Sequence, residues 1–127
     1  MDLSEDERRT FERYEYNGAV VRLFERKNFG LIKKFSSDFE MKDISRSGMC
    51  FELDRYKGPG AYLEMTIDIP GKSKLQMCGN VRWIRENGES DKYEVGILFS
   101  PYGSRDGYNP IRNKDRLKNI IEKKDLN

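Results

Sequence analysis

The sequence predicts an all-β domain, an antiparallel sandwich or barrel, followed by one C-terminal helix. Three observations carry that expectation. Apolar and polar residues alternate with period two through several short runs between Ala19 and Phe99, the signature of strands with one buried face. Turn signals such as Asn17-Gly18, Gly58-Pro59-Gly60 and Pro70-Gly71 separate these runs with no helical stretch between them, which argues against a βαβ sheet. Only beyond Pro101 does the apolar spacing become that of a helix.

Ala19 to Phe24, rich in Val, Leu and Phe, reads as the first strand. Glu25 to Ser37 supports two readings. Phe29-Gly30-Leu31-Ile32 can form a short strand, or it can sit with Arg26, Lys27, Lys33 and Lys34 in a solvated loop. Phe39 and Met41 then alternate with Glu40 and Lys42, and beyond a polar corner Met49, Phe51 and Leu53 alternate with Cys50 and Glu52. Leu63, Met65, Ile67 and Ile69 form the core face of the next strand. Leu75, Met77, Val81 and Trp83 continue the pattern, with Gly79 in register and marking a bulge or barrel bend. Trp83, as a strand tryptophan, is expected first in the core. Tyr93, Val95, Ile97 and Phe99 make the last strand. Asn109 can cap a helix that has Pro110 at its first position, and Leu117, Ile120 and Ile121 share one helical face that docks on the barrel or on a partner.

Composition narrows the function. A length of 127 residues suits one domain with a core that needs no disulfide. The net charge of +2 gives no general attraction to polyanions, so anion binding has to be local. Cys50 and Cys78 lie in strand-like runs and are expected as buried, reduced thiols. The acidic start, Asp2, Glu5, Asp6 and Glu7, is the reverse of a signal-peptide head, and no apolar run approaches the roughly 20 residues of a membrane span. A soluble, cytoplasmic protein without membrane insertion is the resulting expectation. Histidine is absent, which excludes Ser-His-Asp and Cys-His nucleophiles and disfavours a transition-metal site. No other residues form a catalytic constellation, so neither an enzyme nor a cofactor is expected.

Two polar stretches remain. Asp43-Ile44-Ser45-Arg46-Ser47-Gly48 supplies an acceptor, hydroxyls, a cation and a glycine between two strands, and Asp and Ser also stabilise plain turns by themselves. Arg8-Arg9-Thr10-Phe11-Glu12-Arg13 places three guanidiniums in six residues. It reads either as a solvated charged arm or as an anion clamp, because the guanidinium fork fits phosphate and the O6/N7 edge of guanine. Barrel closure can carry this arm across the corner. The two together can bind a guanine nucleotide, with Arg and Ser on phosphate, Asp43 accepting from the base edge and Gly48 giving clearance.

The spacing Arg9-xxx-Arg13 with Arg8 before it, then Asp43-x-Ser45-xx-Gly48 some thirty residues later, resembles the PilZ domain, a bacterial receptor module for cyclic di-GMP. Gly79-x-Val81-x-Trp83 and Tyr93-Glu94-Val95-Gly96-Ile97-Leu98-Phe99 resemble that family's closing strands, so the likeness spans roughly residues 7 to 122. It implies a six-stranded antiparallel Greek-key-type β-barrel with a C-terminal helix. It also implies cyclic di-GMP held by Arg8, Arg9, Arg13, Asp43, Ser45 and Gly48, with Arg46, Ser47 and Trp83 as secondary candidates. In the family a third arginine like Arg8 tends to accompany an intercalated ligand dimer, so two ligand molecules per chain are expected. Glu12 stands where the family often has proline or a neutral residue, and it is expected to compete for an arginine.

The expected organisation is an acidic lead-in over 1–7 and the PilZ domain over 8–127. Within the domain come the arginine arm 8–13, the barrel 16–100 and the helix 109–124. Binding is expected to draw a mobile segment 1–13 over the barrel and so present a new surface to a protein partner, not to a nucleic acid. Two rival readings are a PilZ-like adaptor that binds no nucleotide and a binder of single-stranded nucleic acid on a small barrel.

Overall fold

The computed structural model describes residues 12–27 and 32–122. Six strands, β1 (Val20–Lys27), β2 (Ile32–Ile44), β3 (Gly48–Leu53), β4 (Tyr62–Asp68), β5 (Leu75–Glu86) and β6 (Tyr93–Phe99), precede one helix, α1 (Ile111–Glu122). The strands close into a barrel in the order β1-β2-β3-β6-β5-β4, with every neighbouring pair antiparallel. The expected all-β barrel with a terminal helix is the architecture found. Closure leaves no strand edge unpaired.

The ambiguous stretch after the first strand resolves on its described residues into strand. β1 continues to Lys27 and β2 begins at Ile32, in a ladder that runs from Lys27↔Ile32 to Val20↔Glu40. Charged residues hid this hairpin from the sequence, because period two marks buried faces and not backbone pairing.

The interior is filled along the apolar positions. Val21, Phe51, Leu53, Met65, Ile67, Met77, Val95 and Ile97 are all buried. Leu117 and Ile121 of α1 complete this core, being 2% and 0% exposed. Each contributes on the order of 1.5–3 kcal/mol on burial, so the helix docks on the barrel.

Its approach is fixed by Asn109. The expected helix cap is absent, for this side chain faces the strands. Its Nδ2 donates to the Cys78 and Ser100 carbonyls at 3.0 and 2.9 Å, and its Oδ1 accepts from the Cys78 amide at 2.8 Å. One buried amide thus extends the β5 ladder by side chain, and satisfying strand carbonyls in the interior outweighs capping an exposed helix start. At the far end of α1, Tyr16 Oη donates to the Ile120 and Ile121 carbonyls.

Two irregularities position the site. Between β2 and β3 the pairing slips from Met41↔Phe51 to Asp43↔Cys50, leaving Lys42 as the extra residue of a bulge. Between β5 and β6 it slips from Val81↔Ile97 to Trp83↔Gly96, leaving Arg82 extra. A bulge inverts the face of every side chain that follows. Met41 and Ile44 are therefore both buried, with Asp43 outward between them. In β5, Val81 is buried while Arg82 and Trp83 both face out. Two expectations change here: Trp83 is 39% exposed instead of core, and the β5 bulge falls at Arg82 instead of Gly79. Gly79 answers a different need, since a Cβ there would meet the Leu98 carbonyl oxygen of β6.

Candidate functional site

The polar corner is first of all a well-made turn. Ser45 is 1% exposed. Its Oγ accepts from the Ser47 and Gly48 amides at 3.2 and 3.3 Å, while its own amide donates to the Gly48 carbonyl at 2.8 Å. Ser45 and Ser47 share a 3.1 Å hydroxyl contact. Ser45 thus spends its hydroxyl on the backbone, as small hydroxyl residues at turns do. Gly48 has a local reason as well, because a Cβ there would strike the Ile97 carbonyl of β6. Arg46 is half-buried, and its charge acts on the half-buried Tyr102 hydroxyl, whose pKa desolvation raises and Arg46 lowers in part.

Asp43 behaves differently. The segment ahead of β1 crosses the corner through a two-way bridge, Tyr14 amide to Ile44 carbonyl at 2.8 Å and Ile44 amide to Tyr14 carbonyl at 3.0 Å. That bridge sets Arg13 beside the outward Asp43, and Arg13 Nη1 donates to Asp43 Oδ1 at 2.7 Å. With side chains 49% and 26% exposed, such a pair contributes roughly 0–1 kcal/mol to folding. It is well placed to orient a fork and a carboxylate for a ligand. Within the segment 1–13, the described residues Glu12 and Arg13 lie next to this bridge, and Arg13 makes the ion pair. Glu12 accepts from the Tyr14 hydroxyl at 2.7 Å. Arg8 and Arg9 lie outside the described residues.

The register carries the site onward from Asp43. Asp43 pairs with Cys50, Cys50 with Gly96, and Gly96 with Trp83. One row therefore crosses four neighbouring strands and brings the first polar stretch to the tryptophan. Trp83 lies against the bare Gly96 backbone, where any Cβ would overlap the indole. The Arg85 guanidinium sits over the same ring, 5.0 Å from its centre, within cation–π range. Arg13, Ser47, Gly48, Arg82, Trp83, Gly96, Ile97 and Leu98 line an open cleft of about 330 Å³.

Beside the cleft the charges are mutually satisfied. Lys42 Nζ lies 2.8 Å from Glu52 Oε1, and Arg85 Nη2 lies 3.4 Å from Glu94 Oε1. The Lys42 pKa rises, chiefly through its hydrogen bond to Glu52. Cys50, 6% exposed, donates its thiol to Glu94 at 3.7 Å. Burial, with the nearby charges of Asp43 and Glu94, pushes its pKa up to about 12. A thiol held protonated is a poor nucleophile. Cys50 and Cys78 are both free thiols, as expected. Among the described residues there is no group of His, Cys, Asp and Glu that could hold a metal ion, and no helix long and apolar enough to cross a membrane.

Of the sequence candidates, the structure gathers Arg13, Ser47, Gly48 and Trp83 on the cleft, with Asp43 behind Arg13. It turns Ser45 into the corner and leaves Arg46 off the cleft lining. Arg82, Arg85 and Gly96 escaped the sequence reading. Nothing in the sequence marks them at the bulge, since Val81-Arg82-Trp83 keeps period two and the extra residue shows only in the strand pairing.

Comparison with known proteins bears on the fold and the family. The PilZ domain family model matches residues 7–121. No curated protein matches the chain. Among solved structures, the complex of K. pneumonia MrkH with c-di-GMP superposes with a TM-score of 0.63 at 14% identity, covering 91% of this chain and 51% of that one. MrkH in its apo state gives 0.64 at 15% identity, covering 91% and 50%. The Bacillus subtilis inhibitor of motility, MotI/DgrA, gives 0.63 at 14% identity, covering 90% and 49%. The chain spans about half the length of these solved chains, and at such identities the likeness speaks for the fold. Because the family model covers nearly the whole chain and the barrel has the expected strands and terminal helix, this protein belongs to the PilZ domain family.

Proposed function

We propose that this chain is a cyclic di-GMP receptor whose site is the row from Asp43 to Trp83, completed by the arginines of the segment that ends at Arg13. The observation that carries this reading is the Arg13–Asp43 pair, held across the corner by the Tyr14–Ile44 bridge and opening onto a cleft that contains an exposed tryptophan. Each part suits one portion of the ligand. Arg13, with Arg8 and Arg9 from the preceding arm, offers forks for phosphate and guanine. Asp43 accepts from a guanine edge. Trp83 offers a π surface for a base. Ser45 acts through the turn that it holds, and Arg46 and Ser47 flank it. The lead-in 1–7, the PilZ domain 8–127, the arm 8–13, the barrel 16–100 and the helix segment 109–124 are the units of this reading.

Signalling follows from the same parts. The arm adjusts over the barrel when ligand binds, and the altered surface is offered to a protein partner. On this reading no catalytic step is involved and the cytoplasm is the site of action. MrkH is described as a c-di-GMP-dependent transcription regulatory factor and MotI as an inhibitor of motility.

Calorimetric titration of the full chain with cyclic di-GMP tests the reading. Saturable binding is expected, with GMP and GTP far weaker, and a stoichiometry of two ligands per chain if Arg8 supports an intercalated dimer. Absence of binding would favour the adaptor alternative. Equal binding of any single-stranded oligonucleotide, steeply weakened by salt, would favour the nucleic-acid alternative.

A further inference from the structure

The arginines around the cleft are not equivalent. Arg13 is engaged by Asp43, and Arg85 by Glu94 and the Trp83 ring. Arg82, also on the cleft lining, makes no hydrogen bond or ion pair with any described residue. Its exposure is a product of the β5 bulge, which puts the side chains of Arg82 and Trp83 both outward at adjacent positions. The backbone there is part of the closed barrel, paired with β6 on both sides of the slip. The cost of a register break in the ladder is met without any gain in core packing at Arg82 itself. Among the described residues this cation on a concave surface has no ion-pair partner, while its neighbours' charges are paired, so it contributes strongly to the local field.

We propose that Arg82 is a phosphate-binding residue of the nucleotide site, reaching the ligand from the β5 side of the cleft while Arg13 reaches it from the corner. The proposal rests on the reading of the cleft as a cyclic dinucleotide site. It assigns a contact that lies outside both polar stretches singled out in the sequence. A base on the Trp83 side and a guanine edge at Asp43 leave the ligand's phosphodiester as the group still requiring a donor. A fork with no internal partner supplies that donor without first breaking an ion pair. The bulge then has one function with two effects, turning out the stacking surface and the phosphate contact in the same step.

The test is titration of the full chain and its Arg82 variants with cyclic di-GMP over a range of salt concentrations. Arg82→Ala is expected to weaken binding about tenfold to a hundredfold and to flatten the dependence of affinity on salt. Its thermal unfolding should match the parent, because the side chain is exposed and makes no internal contact to lose. Arg82→Lys, which keeps the charge, should recover part of the affinity. Binding by Arg82→Ala with parental affinity and salt dependence overturns the assignment and leaves the cleft reading standing. Arg82→Lys as weak as Arg82→Ala overturns it in favour of planar readout of a guanine edge. A parent chain that binds no cyclic di-GMP ends the cleft reading and this assignment together.

Discussion

The two halves of β5 follow different rules. From Leu75 to Val81 the strand pairs with β4 in unbroken register, Ile67↔Leu75 to Tyr62↔Asn80, and its apolar side chains enter the core. From Arg82 to Glu86 it follows the β6 register after the slip, and its polar and aromatic side chains lie mostly outside. The first half is also where α1 is tied down, through Asn109 on Cys78 and Asn113 Nδ2 on the Gln76 carbonyl at 2.7 Å. The second half faces the cleft. On the proposed reading of the cleft, stability and recognition divide along one strand at a single extra residue, and substitutions in the two halves should separate accordingly.

The largest effect is expected in the first half. Asn109→Ala removes three buried hydrogen bonds and orphans the Cys78 amide and the Ser100 carbonyl, a loss of about 2–4 kcal/mol. Urea unfolding should show it as a lower midpoint. Ligand affinity at moderate temperature should survive in the fraction that is folded.

Arg13→Ala probes the other side of the division. Folding should change by no more than about 1 kcal/mol, given the exposure of the pair. Affinity for cyclic di-GMP should fall by roughly tenfold to a hundredfold, as for a lost charge-assisted contact. Equal losses of stability and affinity would mean that the ion pair is structural and would erase the contrast.

Gly96→Ala gives a subtler separation. Its new Cβ overlaps the Trp83 indole, and because that indole is exposed it can swing away with a loss of under about 1 kcal/mol. The altered platform should reduce affinity several-fold and change Trp83 emission. Gly79→Ala, at the matching place in the first half, meets the Leu98 carbonyl. It should lower stability by about 1–3 kcal/mol with affinity intact.

The smallest effect near neutral pH concerns Cys50. Its folded pKa is near 12 against an ordinary value of 9.0. The folded chain therefore keeps the proton after the unfolded chain has released it, so fewer protons are bound unfolded and stability falls as pH rises from about 9 towards 12. The loss is only about 0.4 kcal/mol at pH 9 and grows above it. Comparison of the parent with Cys50→Ala across that window should show a steeper slope in the parent, the slope left in the variant coming from groups such as Lys42 and Tyr102 whose pKa values are also raised.

The same division explains what was legible in the sequence. Where register is regular, as in β4, alternation identified Leu63, Met65, Ile67 and Ile69 as core, and all are buried. The family resemblance added the number of strands and the terminal helix. Trp83 was assigned first to the core because period two had been extended past Val81, and a single inserted residue reverses that inference. Asn109 looked like a cap because its sequence neighbours are helical, while its partners are strand carbonyls 9 and 31 residues away. The Asp43 to Gly48 corner was legible as a turn. That Asp43 faces Arg13 while Ser45 faces inward depends on the Lys42 bulge, which leaves no local mark in the sequence.

Trp83 is the only tryptophan in the chain, so its emission reports on the cleft alone. Titration of the full chain with cyclic di-GMP, followed by tryptophan fluorescence alongside calorimetry, is the most direct test of the site. The account predicts a saturable change in emission whose midpoint coincides with the calorimetric one, and which shifts to higher ligand concentration in Arg13→Ala. Calorimetric binding that leaves Trp83 emission unchanged would place the ligand elsewhere and contradict it.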